Sequence, residues 1–251
     1  MLQYVTIAAA CVIMLASAGQ SAQSAQPGAA CPAKESEKGF LLKSVLVRGQ
    51  ERRYVVYVPP GYDPAEPTPT ILFLHGMGES GTDGVKQIAI GLGMSVLRDV
   101  DRWPFIIIFP QKRTAEALWD TEDAHLTAVL NKTRRELNVD ESRIYLTGLS
   151  QGGHGTWAIA ARHPETFVAI APICGWGEKW MAKKLADTPA WIFHGDADNV
   201  VTPMGSTGMA DFLRAAGGSP KLTMYPGVGH NSWDKAYGEE DLPEWFLEHM
   251  K

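Results

Sequence analysis

Residues 142–157 read SRIYLTGLSQGGHGTW. The first six alternate apolar and polar side chains, as a strand does, and the last seven open a segment expected to be helical. Between them Ser150 stands in Gly148-Leu149-Ser150-Gln151-Gly152, a G-x-S-x-G pattern. Glycines in an ordinary tight turn are one reading of it. The other is a nucleophile on a strained strand-to-helix turn, with glycines on both sides removing Cβ atoms that would clash. Five residues alone say little, so the rest of the chain must decide whether this strand belongs to a sheet that supports such a turn.

Working outward, strand signals fall at 44–48, 53–58, 70–75, 105–109, 143–148, 167–171, 190–194 and 222–225. Helical segments are expected at 83–97, 121–137, 151–163 and 206–216. The first two strands are separated by GQE, short enough for an antiparallel hairpin. Later strands such as TILFLH, FIIIFP and AWIFHG are nearly continuous apolar runs, which marks parallel strands covered on both faces. The expected fold class is α/β, an eight-stranded mostly parallel sheet with helices on both faces and no internal repeats. In such sheets ligands bind beyond the carboxyl ends of the strands, so chemistry belongs just after each strand.

Three further strand ends carry suitable residues. HGDADNVV follows the seventh strand, YPGVGHNSW the eighth, and HGMGESG the third. Ser150, an aspartate and His230 therefore occur in that order at different strand ends. A serine hydroxyl is a poor nucleophile until an imidazole takes its proton, and a carboxylate must orient that imidazole and stabilise its charge. Spacing leaves Asp196 and Asp198 both open for the carboxylate. The glycine-rich HGMGESG turn suits an oxyanion hole built from backbone N–H groups, those of Met77 and Gln151. A phosphate loop is the rival, but the lysine and hydroxyl it requires are missing. His75 and His194 are expected to bond loop backbone. Trp119, Trp176, Trp233 and His154 are substrate-binding candidates beside the strand ends. No metal and no organic cofactor is expected, because no zinc-ligand spacing is present.

These residues resemble the α/β-hydrolase superfamily. More narrowly, LFLHGMGESG, GLSQGGHGTW, APICGW, FHGDADNVV and VGHNSW are similar to small serine esterases. That grouping takes in dienelactone hydrolases, phospholipase/carboxylesterases and the so-called predicted peptidases, with feruloyl and acetylxylan esterases as broader relatives. The resemblance covers Lys43 to the C-terminus. It implies an α/β-hydrolase fold, and its H-G-x-x-D pattern implies Asp198 as the acid. Dienelactone hydrolases proper use cysteine as the nucleophile, so Ser150 argues against a dienelactone substrate. Between the sixth and seventh strands only 174–188 remain, too few for a large lid domain, so an open site is expected.

The chain has 251 residues, 45% hydrophobic and 20% charged, with a net charge of −5. That is an ordinary globular balance, and it argues against a nucleic-acid or polybasic membrane surface. Residues 5–16 form an apolar run followed by small residues, the pattern of a secretory signal. The run is too short for a stable membrane anchor. The expected organisation is a signal peptide over 1–25, a flexible linker over 26–38 and a catalytic domain over 39–251, in a secreted or periplasmic protein. Signal removal leaves Cys31 and Cys174, whose pairing is left open, as is the oligomeric state. The expected function is hydrolysis of carboxylic esters by a serine triad through an acyl-enzyme. Peptidase or polysaccharide-linked esterase activity is the alternative within enzymes, and a noncatalytic binding protein the alternative outside them. The substrate is a small-molecule or polymer-attached ester.

Overall fold

The computed structural model describes residues 37–251. The expected signal peptide, all but the last two residues of the expected linker, and Cys31 lie outside the described residues. Eight strands form one sheet: β1 (Gly39–Val47), β2 (Gln50–Val58), β3 (Thr68–Leu74), β4 (Ile106–Pro110), β5 (Val139–Leu149), β6 (Ala169–Ile173), β7 (Trp191–Gly195) and β8 (Lys221–Tyr225). Their order across the sheet is β1-β2-β4-β3-β5-β6-β7-β8. β1 and β2 pair antiparallel, as do β2 and β4, and every later pair is parallel. This is the α/β-hydrolase fold that the resemblance implies.

The apolar runs follow from two-sided burial. Along β3, Leu72 and Leu74 enter one core while Ile71 and Phe73 enter the other, and along β4 Ile106 and Ile108 oppose Ile107 and Phe109 in the same way. Successive residues of a strand face opposite sides, so a strand covered on both faces tolerates no polar alternation. Each large side chain withdrawn from water this way contributes about 2 kcal/mol. One face is covered by α2 (Asp123–Glu136), α3 (Gln151–Arg162), α4 (Lys179–Lys184) and α5 (Met204–Ala215), and the other by α1 (Leu92–Arg98), α6 (Trp233–Gly238) and α7 (Leu242–Leu247).

The expected helix over 83–97 is helical only from Leu92, apart from a single 3-10 turn at Lys86–Ile88. Two local features stop it. Asp83 Oδ1 accepts from the amides of Val85 and Lys86 at 2.8 Å each, and Gly91 turns the chain with a φ of 53°. The three helices α4, α6 and α7 were not expected. Each is six residues long, too short to display a helical period. The only helix between β6 and β7 is α4, so no large lid covers the carboxyl edge of the sheet. Among the described residues no helix is long and apolar enough to cross a membrane.

Candidate active site

β5 ends at Leu149 and α3 starts at Gln151, leaving Ser150 alone to make the turn, with φ 56° and ψ −117°. That backbone region is costly for a residue with a Cβ and persists only when the surroundings hold it. Here the Ser150 amide donates to Ile173 O at 2.9 Å and its carbonyl accepts from the His154 amide at 3.0 Å. The flanking glycines make the approach possible. A Cβ on Gly148 would lie 2.4 Å from Gly152 O, and one on Gly152 would lie 1.9 Å from Leu74 O. Any side chain at either position would push α3 away from β3.

The loops after β7 and β8 bring the other groups in. Ser150 Oγ lies 3.0 Å from His230 Nε2, and His230 Nδ1 lies 2.7 Å from Asp198 Oδ2. Asp198 is buried, and burial pushes its carboxyl up. Hydrogen bonds from His230 and from the amides of Val200 and Val201 outweigh that and hold it below the usual carboxylate range. Asp196 faces away, accepting from the Gly227 amide at 2.7 Å. The Ala197 amide also donates to Val228 O at 3.0 Å, so this stretch ties the β7 loop to the loop that carries His230.

His194 is a participant that sequence reasoning left with the loop backbone alone. Its ring is fully buried, with Nε2 3.0 Å from Val201 O and 3.2 Å from Asp198 Oδ2. Both of those atoms only accept, so the proton sits on Nε2, and Nδ1 accepts from the Ser206 hydroxyl at 2.7 Å. Burial lowers its pKa, which keeps it a neutral donor to the carboxylate. Asp198 thus receives contacts at both oxygens from both sides. The signal available in the sequence was the four-residue spacing of His194 and Asp198 at one strand end.

His75 behaves as expected of a loop-binding group. Its Nδ1 lies 2.6 Å from Gly76 O, and Nε2 accepts from the Lys112 amide at 3.1 Å. Burial lowers its pKa to about 3. Beside it, Lys112 Nζ donates to Ser80 Oγ at 2.7 Å and to Thr114 O at 2.9 Å, bracing the glycine-rich turn. Gly76 packs against Ser150, since a Cβ there would stand 3.6 Å from Ser150 Cβ. Neither the Met77 nor the Gln151 amide donates to another described residue. Glu79 reaches the same turn. A Cβ on Gly76 would lie 3.2 Å from its Oε2, and burial raises its carboxyl.

The aromatic candidates divide. Trp176 is half-buried and stacks on His154 with centroids 4.7 Å apart and planes at 14°, while His154 Nδ1 meets Trp176 O at 3.0 Å. Trp233 is half-buried and stands edge-on to His230 at 5.3 Å. Trp119 corrects the expectation: it is fully buried, and its Nε1 donates to His75 O at 2.9 Å. It packs between loop and helix and offers no face to a substrate. Cys174 is fully buried and forms no disulfide among the described residues. Its Sγ and ligand atoms of Asp198 and His230 lie within 4.8 Å of one another. Burial raises the thiol to about 12, which keeps it protonated, and the Asp198 carboxylate is already engaged by His230 Nδ1 at 2.7 Å.

A protein-family model described as "Putative esterase" matches residues 46–209. Among curated proteins, the bifunctional acetylxylan esterase/xylanase XynS20E of Neocallimastix patriciarum is 28% identical over 158 residues, 61% of this chain and 22% of that one. Feruloyl esterase B of Neurospora crassa is 28% identical over 209 residues, 77% of this chain and 68% of that one. The chain thus spans between about a fifth and two thirds of the length of these relatives. A solved thermostable esterase is 30% identical with a TM-score of 0.71, over 84% of this chain and 63% of that one. With the family match spanning more than half of its length and including both Ser150 and Asp198, the chain belongs to the "Putative esterase" family.

Proposed function

We propose that this chain hydrolyses carboxylic esters with Ser150 as nucleophile, His230 as general base and acid, and Asp198 as the group that orients His230. The observation that carries the reading is the unbroken relay of 3.0 Å and 2.7 Å from Ser150 Oγ through His230 to Asp198. His230 Nδ1–H donates to the carboxylate, which leaves the Nε2 lone pair facing the serine O–H. As Oγ attacks the ester carbonyl, Nε2 takes the hydroxyl proton. The amides of Met77 and Gln151 receive the oxyanion, and the same proton then passes to the leaving alcohol. Water, deprotonated by His230, attacks the acyl-enzyme and releases the acid and the free serine. His194 holds Asp198 in place throughout.

The open carboxyl edge and the half-buried Trp176 and Trp233 beside the relay favour bulky esters carried on a sugar polymer. The names of the acetylxylan and feruloyl relatives favour the same substrate class. Such a polymer is met outside the cell, in keeping with the export segment read in residues 1–25. The test is Ser150→Ala. It should lower nitrophenyl acetate turnover by a factor on the order of 10⁴ or more, with an unchanged circular dichroism spectrum. A fluorophosphonate probe should label the wild type at Ser150. Near-normal turnover by the variant, or an unlabelled folded wild type, would sink the assignment and favour a noncatalytic protein on this fold.

A further inference from the structure

Lys112 lies just past β4 in the stretch QKRTA, where a charged side chain would ordinarily turn to water. It is instead fully buried. Its Nζ donates to Ser80 Oγ at 2.7 Å, to Thr114 O at 2.9 Å and to Ala115 O at 3.3 Å. The two carbonyls can only accept, and Ser80 Oγ gives its one proton to Met77 O at 2.9 Å. Nζ must therefore supply all three hydrogens, which makes the group an ammonium. All three partners are neutral oxygens, so dipoles hold the buried charge. Burying a charge is costly, and the loops that this one ties together are those carrying Met77 and Gln151.

Two paths run from Lys112 to the peptides on either side of the Met77 α-carbon. Its main-chain N–H donates to His75 Nε2 at 3.1 Å, which leaves the ring proton on Nδ1, and Nδ1 donates to Gly76 O at 2.6 Å. Gly76 O and the Met77 N–H belong to one planar trans peptide and point in opposite directions, so fixing the carbonyl aims the amide. Through Nζ and Ser80 Oγ the next carbonyl, Met77 O, is fixed as well. A third path leads to α3. Ala115 O, which accepts from Nζ, also accepts from Gln151 Nε2 at 3.1 Å. Met77 follows β3 and Gln151 opens α3, and Lys112 is common to the hydrogen bonds that fix both.

We propose that Lys112 is a positioning residue of the oxyanion hole, holding the Met77 and Gln151 amides at a set separation so that both reach the same ester oxygen. The proposal rests on the esterase reading above. Oxyanion donors work because they are already in place when charge develops, and a displacement of about 1 Å can cost on the order of 10²-fold in rate. Being fully buried, the ammonium acts through these neighbours and does not meet the substrate.

The test replaces Lys112 by methionine, which keeps an unbranched chain of similar length and removes the charge and its donors. Lys112→Met should lower kcat for nitrophenyl acetate by a factor on the order of 10², with KM changed by less than about threefold. The decisive readout is the ratio of kcat/KM for nitrophenyl acetate to that for its thiono analogue, in which sulfur replaces the carbonyl oxygen. Sulfur accepts hydrogen bonds poorly, so well-placed donors favour the oxygen ester, and the ratio should fall about tenfold in Lys112→Met. A fault confined to packing would slow both esters alike. Ser80→Ala cuts the path to Met77 O alone and should lower the ratio about threefold; it carries the test if circular dichroism shows Lys112→Met unfolded. An unchanged ratio in folded Lys112→Met, or in Ser80→Ala where only that variant folds, would overturn the proposal. A folded wild type inactive on both esters would instead overturn the esterase reading beneath it.

Discussion

Ser150 and Cys174 occupy the same place on adjacent strands. Each follows the last residue of a buried parallel strand, β5 or β6, and each is a non-glycine residue held at positive φ, 56° and 39°. Each also fixes its amide on the carbonyl of the next strand, Ser150 on Ile173 and Cys174 on Phe193. A thiol is the better nucleophile of the two, yet it is the serine that faces the His230 imidazole at 3.0 Å. Cys174 is fully buried, and burial holds its thiol protonated with a pKa raised to about 12. Turn geometry and intrinsic nucleophilicity therefore do not distinguish the two positions. Access and the neighbouring imidazole do.

The largest effect that can test this is loss of the orienting carboxylate. Asp198→Asn should present an amide to His230 Nδ1, favour the wrong tautomer and lower kcat for nitrophenyl acetate by a factor on the order of 10⁴. Ser150 would then be about as inert as Cys174. Asp196→Asn should cost far less, since that side chain only pins a loop. Comparable losses in both variants would show that the loop rather than the proton relay matters.

Next comes the burial that silences Cys174, which has a separate consequence in the histidines. His75, His194 and His125 all have pKa values lowered by burial. The unfolded chain binds protons at these rings below about pH 6.5 while the folded chain does not, so stability is present above that pH and falls as pH drops. His75, lowered to about 3, should remove about 2 kcal/mol by pH 5 on its own. Thermal unfolding followed between pH 8 and 5 reads this directly, and a flat Tm would mean that the rings take up protons in the folded state.

The smallest effect is expected at Cys174 itself. Cys174→Ala should keep esterase turnover within about threefold, because the thiol neither gives nor takes a proton at working pH. Iodoacetamide should leave Cys174 unmodified in the folded protein and alkylate it in urea, as read by peptide mass mapping. Rapid alkylation of Cys174 with loss of activity in the folded state would place the two strand ends on an equal footing.

Much of this was legible in the residue order. The strand-to-helix placement of GLSQGG and the apolar runs of β3, β4 and β7 are local patterns imposed by two-sided burial, and they led to the sheet and to Ser150. The resemblance separated Asp198 from Asp196 where spacing did not, and of the two it is Asp198 that lies within hydrogen-bond distance of His230. Trp119 shows the opposite. It follows a loop near a strand end, as Trp176 does, but whether an indole faces solvent or a core depends on what the helices bring over it. The helices α4, α6 and α7 went unseen because six residues are too few to carry a period.

The amino-acid order by itself determined which segments form strands and which strand ends carry candidate polar side chains, because periodicity and glycine spacing are local and steric. Only the tertiary structure decided which of those side chains meet. His230 between Ser150 and Asp198, Cys174 shut away beside Ser150, and Trp119 sealed against His75 all depend on distances between residues far apart in the chain. Those distances are set by the packing of the loops and helices above the strand ends, which no window of sequence contains.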